Sequence, residues 1–112
     1  MHETWCPERG DIVWLTFDPS LGHEQQGRRP ALVVSPKIYN KKVGLMLVCP
    51  FTRVEKGYPF EVRIHGDYPI SGIVLADQVK SVDWRARDAE YIGHLISQET
   101  DEVFGKIAAL LL

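Results

Sequence analysis

The chain has 112 residues, 45% of them apolar and 25% charged, with a net charge of −2. That balance fits one globular domain over residues 1–112 with a single modest core. No run reaches the ~20 apolar residues that a membrane-spanning helix needs, and the acid-bearing start Met1-His-Glu-Thr-Trp-Cys-Pro7 lacks the apolar core of a secretory signal, so the cytoplasm is the expected compartment.

Asp11 to Phe17 is β-branched and aromatic, is closed by Asp18-Pro19, and predicts a strand from which Trp14 packs inward. Ala31-Leu-Val-Val-Ser35, launched by Pro30 and stopped by Pro36, predicts a second, and Leu45-Met-Leu-Val-Cys49 a third. Both are apolar without alternation, the pattern of strands buried on two faces. Phe60 to His65 alternates and predicts a half-exposed strand, followed by short strands at Gly72–Leu75 and Tyr91–Ile96. Ser97 then predicts a helix cap, with Glu99, Asp101 and Glu102 in the early turns. Val103, Phe104, Ile107, Leu110 and Leu111 form one apolar stripe along that helix. Short strands with Gly/Pro turns and one late helix predict a mainly β fold, a small bent barrel with the helix on one side. The apolar end Leu110-Leu111-Leu112 would be covered by a partner subunit or buried against the barrel.

Cys6 and Cys49 could pair, but a reducing compartment favours two unpaired thiols. Cys49, inside an apolar run, reads as a small buried hydrophobe. His2, His65 and His94 are too scattered to make a metal site with them.

Residues 22 to 30, Gly-His-Glu-Gln-Gln-Gly-Arg-Arg-Pro, carry the chemistry. Glycine lets a backbone approach a ligand closely, and a guanidinium fork fits phosphate oxygens. From Arg28 to Lys56 there are seven basic residues and one acid, +6 over 29 residues, whereas Asp83 to Leu112 carries −3. Such asymmetry predicts a local anion-binding face, unless folding scatters these side chains. Tyr39, Phe51 and Tyr58 lie within that stretch and could stack on unpaired bases or simply pack turns.

If the second and third strands pair, their ends bring Arg29 and Thr52 to one rim, near Glu24. A carboxylate, a guanidinium and a hydroxyl around one phosphate suit RNA cleavage by its own 2′-hydroxyl. Glu24 would take the 2′-proton, Arg29 would stabilise charge on phosphorus and could protonate the leaving oxygen, and Thr52 would position a phosphate oxygen. The products would be 2′,3′-cyclic phosphate and 5′-hydroxyl ends, with no metal or other cofactor. His23 is a rival base. A Glu24–Arg29 surface ion pair and a turn-forming Thr52 are the plainer alternatives.

The chain resembles the MazF/PemK toxins, the ribonuclease halves of bacterial toxin–antitoxin pairs. The match runs from Arg9-Gly-Asp-Ile-Val-Trp14 through Gly22-His-Glu-Gln-Gln-Gly-Arg-Arg-Pro-Ala31 and Val33-Val-Ser-Pro36. It continues in Tyr39-Asn40, Pro50-Phe-Thr52, Gly57-Tyr-Pro-Phe60, Leu75-Ala-Asp-Gln-Val-Lys-Ser81 and Trp84-Arg-Ala-Arg87. The resemblance implies an SH3-like barrel of the CcdB/PemK type, a symmetric homodimer, and metal-independent cutting of single-stranded RNA, chiefly mRNA, which stops translation. It implies Glu24, Arg29 and Thr52 as catalytic residues, and RNA contacts from Gln25, Arg28, Lys37, Asn40, Arg53, Lys56, Lys80 and Arg87. It also implies a cognate antitoxin whose extended acidic tail competes with RNA for the basic groove. His23, Gln26 and Arg28 fall where the family varies, which leaves the cleavage sequence open.

Two other functions compete. A toxin of the same barrel could poison DNA gyrase by protein contact, without any need for Glu24, Arg29 or Thr52. A plain peptide- or RNA-binding barrel would explain the basic loops but gives Glu24, which repels phosphate, no task.

Overall fold

The computed structural model describes residues 5–16 and 27–112. Within them lie seven strands: β1 (Asp11–Thr16), β2 (Arg28–Val33), β3 (Leu45–Thr52), β4 (Glu61–Arg63), β5 (Ile73–Leu75), β6 (Lys80–Asp83) and β7 (Glu90–His94). Two helices accompany them, α1 (Lys37–Val43) and α2 (Ser97–Leu111). All strand pairs are antiparallel, in the order β4-β5-β3-β2-β1-β7, with β6 also on β3.

Burial on two faces explains why β2 and β3 do not alternate. Successive residues of a strand point to opposite sides, and here each side holds its own core. Ile12, Leu32, Cys49, Phe51 and Val74 pack on one face with Leu95 and Val103 of the helical side. Val13, Ala31, Val33, Met46, Val48 and Val82 pack on the other with Trp84. Cross-strand partners share a face throughout, as in Ile12↔Leu32 and Val33↔Val48. Cys49 belongs to the first core and Cys6 to the second, so both remain buried, unpaired thiols.

β3 is the axis of the sheet. One edge pairs β2 through Val48–Pro50, while the other pairs β6 through Leu45–Val48 and β5 through Phe51–Thr52. Pro50, which has no N–H to donate, sits at that change of partner, where a central strand tolerates it. The sheet is bent in this way but not closed, a correction to the barrel expectation. β4 and β7 stay at opposite ends of the pairing path. β4 is only three residues long, and the Lys106 ammonium of α2 takes the carbonyls of Pro59 and Glu61 beside it.

The helix begins at Ser97, but Ile96 occupies the cap position and supplies no side-chain cap. Val103 is fully buried, and Phe104 and Ile107 pack beside it. The stripe then runs out of core: Leu110 is 48% exposed and Leu111 77%, so the barrel side does not bury that end. Neither α1 nor β6 is expected from the sequence. α1 is seven residues long, starts after Pro36 and stops at Gly44, whose left-handed φ of 81° directs its N–H to the Asn40 carbonyl. No helix is long and apolar enough to cross a membrane among the described residues.

Candidate active site

Pairing of β2 with β3 ends at Ala31↔Pro50. Beyond that point the strand ends separate, and a cavity of about 580 Å³ opens between them. Arg29, Thr52 and Arg53 supply its polar wall, and Trp14, Pro30 and Phe51 an apolar one. Pro69, Ile70 and Ser71, between β4 and β5, close the far side. Trp14 therefore lines this cavity instead of packing inward, because its partner across the pair, Pro30, faces the same opening.

Arg29 is exposed, with no ion-pair partner among the described residues. The Thr52 hydroxyl oxygen accepts the Val54 N–H at 3.1 Å. A hydroxyl used as an acceptor still has its hydrogen to donate, so Thr52 can present a donor to an anion beside two guanidinium groups. The expected Glu24, Gln25, His23 and Gln26 lie outside the described residues.

The other expected RNA contacts divide. Arg53 shares the cavity with Arg29. Arg28, one residue away, turns elsewhere: its guanidinium donates to Thr16 Oγ1 at 3.2 Å, the Asp88 carbonyl at 2.7 Å and the Glu90 carboxylate at 3.1 Å. Its guanidinium is therefore paired with Glu90 and Asp88 and does not line the cavity of Arg29. Arg87 is held beside it, donating to the Thr16 carbonyl at 3.2 Å. Lys37 lines a separate cavity with His94 and Asp101. Lys56 and Lys80 are exposed, the first in the turn before β4 and the second on β6. The +6 segment is thus dispersed over several surfaces, with Arg29 and Arg53 in the cavity.

Asn40 is the clearest correction. It is fully buried, and its amide nitrogen donates to the carbonyls of Pro7 at 2.8 Å and Ser35 at 3.1 Å. Its side-chain oxygen accepts the Ser35 hydroxyl at 2.5 Å, and its carbonyl accepts the Trp84 indole N–H at 2.9 Å. Every polar atom of the side chain is used inside the fold, which leaves none for RNA. Among the aromatics, Phe51 belongs to the core, Tyr58 donates to Asp77 at 2.9 Å, and Trp84 is buried with Trp5 edge-on against it.

A second histidine feature arises only from the fold. Buried Asp11 holds the half-exposed His94 ring through Nδ1 at 2.8 Å, and its other oxygen accepts the Glu8 N–H at 2.9 Å. Asp11 and His94 are 83 positions apart and meet only because β1 pairs with β7. Among the described residues no three His, Cys, Asp or Glu side chains gather as metal ligands.

Against known proteins, residues 8–111 match the model of the PemK-like, MazF-like toxins of type II toxin–antitoxin systems. The chain is 46% identical over 111 residues to the endoribonuclease toxin MazF of Escherichia coli K12, covering 99% of both chains. It is also similar to the solved structure of MazF from Deinococcus radiodurans, with 50% identity, a TM-score of 0.85 and coverage of 96% of this chain and 97% of that one. A MazE–MazF structure from the same organism matches at 46% identity and a TM-score of 0.84, covering 96% of each chain. A cavity with two guanidinium groups and a hydroxyl thus sits on a chain that belongs to the PemK-like, MazF-like toxin family of type II toxin–antitoxin systems.

Proposed function

We propose that residues 1–112 form one toxin domain that cuts single-stranded RNA, chiefly mRNA, in the bacterial cytoplasm and so stops translation. One observation carries the reading: Arg29, Arg53 and Thr52 line a single cavity between strand ends. Arg29 stabilises the charge that builds on phosphorus, and a guanidinium aimed at developing charge is among the larger catalytic contributions. Thr52 donates its hydroxyl hydrogen to a phosphate oxygen while the Val54 amide fixes its oxygen. Glu24 accepts the 2′-proton, and the leaving 5′-oxygen takes a proton from the Arg29 guanidinium, which regains one from solvent, so that it departs as the 5′-hydroxyl. No metal or other cofactor is needed for this route, because the nucleophile belongs to the RNA.

A gyrase poison would have no use for a hydroxyl and two guanidinium groups around one cavity, and the names of the relatives also favour RNA. The working unit is a homodimer. The exposed apolar end of α2 is surface of the kind that a subunit contact covers. A cognate antitoxin with an acidic disordered tail neutralises the toxin by occupying the guanidinium-lined cavity, as its charge favours.

The test incubates purified protein with a defined single-stranded RNA in EDTA and maps both ends of each product. Cyclic phosphate and 5′-hydroxyl ends formed in EDTA support the proposal. A strict metal requirement or 3′-hydroxyl products refute it.

A further inference from the structure

The far wall of the cavity is held in place from behind. Glu99, in the first turn of α2, is buried, and among the described residues it has no ion-pair partner. Its carboxylate instead accepts the His65 N–H at 2.6 Å and the Tyr68 hydroxyl at 2.7 Å. The Tyr68 oxygen in turn accepts the Ile96 N–H at 2.9 Å. Burial pushes the Tyr68 pKa up, and Glu99 adds to the shift, so the phenol keeps the proton it donates. These three bonds grip the segment that leads directly into Pro69, Ile70 and Ser71.

The same segment is tight at both ends. A Cβ at Gly66 would lie 2.5 Å from the Tyr68 ring. Gly72 has a φ of +145°, and a Cβ there would lie 2.9 Å from the Thr52 carbonyl oxygen. The wall is thus anchored on α2 at one end and abuts the candidate catalytic strand at the other. Glu99 itself lines a different cavity, with His65 and Gln98, so it cannot act on a phosphate bound beside Arg29.

The wall offers little to a phosphate. Pro69 is exposed and Ile70 only partly buried against the core, and with Trp14 across the cavity these apolar groups suit the flat face of an unpaired base. Ser71 adds one hydroxyl that can read a base edge. We propose that Pro69–Ser71 select the base next to the cut linkage and that Glu99, through Tyr68 and the His65 amide, is a positioning residue for that selection. The inference rests on the nuclease reading above and adds to it the place where sequence is read.

The experiment profiles cleavage of a randomised single-stranded RNA pool by the wild-type protein and by Ile70→Ala, Tyr68→Phe and Glu99→Gln. Glu102→Gln, an exposed carboxylate on the same helix, serves as control. Loss of one apolar wall group should relax the preference at one nucleotide beside the cut by about tenfold. Tyr68→Phe, which keeps the ring, and Glu99→Gln should relax the same nucleotide. For each, KM on the preferred RNA should rise while kcat stays within about threefold of wild type. Melting curves on each variant separate a shifted wall from a lost fold. An unchanged profile in Ile70→Ala, or a uniform loss of kcat without a change at any nucleotide in Tyr68→Phe, overturns this inference alone. A wild-type protein that cuts no RNA overturns the nuclease reading and this inference with it.

Discussion

Replacing Asn40 by alanine separates a structural residue from an RNA contact. The change removes the donations to the Pro7 and Ser35 carbonyls and the acceptor of the Ser35 hydroxyl, all inside a site with no exposure. A typical internal hydrogen bond contributes about 1 kcal/mol, and a buried partner left without one costs about 1–3 kcal/mol, so the loss should be about 3–5 kcal/mol. Folding free energies of domains this size are only about 5–15 kcal/mol, so the variant should be marginal. With urea slopes of about 1–3 kcal/mol/M, the unfolding midpoint should fall by at least about 1 M. Under conditions where the variant remains folded, RNA affinity should be unchanged. A variant with wild-type stability and weakened RNA binding would instead make Asn40 an RNA contact.

Arg29→Ala should abolish cleavage, by at least about 100-fold, without changing the unfolding midpoint, as expected when an oxyanion-type donor is lost. Arg28→Ala should keep cleavage within a few-fold, because its charge is spent on Glu90 and Asp88; equal losses in both variants would contradict the division between them. Burial first, then the charge of Asp77, pushes the Cys49 thiol from the ordinary 9.0 up to about 12. The folded state therefore holds this proton more tightly than the unfolded chain, so its contribution is complete below pH 9 and is lost as pH rises toward 12. Near pH 10.5 the loss should be about 2 kcal/mol, and urea midpoints of Cys49→Ala should show a shallower alkaline decline than wild type; parallel declines would rule this out. Val103→Ala, in the fully buried part of α2, should cost about 2 kcal/mol and leave kcat unchanged.

Strand content was legible because unbroken apolar runs such as Ala31–Val34 and Leu45–Cys49 have only one comfortable home, a strand between two cores. The meeting of Arg29 with Thr52 followed from the same fact, since pairing two such strands aligns the residues at their ends. α1 was not legible, because seven residues show no apolar period, although Pro36 and Gly44 mark its limits. β6 offered a single buried side chain, Val82, too little to reveal a strand. The fates of Asn40 and Arg28 were invisible for a different reason. Their partners, Pro7 and Glu90, lie 33 and 62 positions away, and only the folded register brings them together. Closure of the barrel was overestimated because a short edge strand can be covered by one lysine of a helix as well as by another strand.

In the proposed reaction the RNA supplies its own nucleophile beside Arg29 and Thr52. The most direct measurement places a single 2′-deoxynucleotide at the mapped cleavage position of an otherwise unchanged RNA. This RNA should bind with near-normal affinity and remain uncut at that linkage. Continued cutting there at the wild-type rate would contradict it.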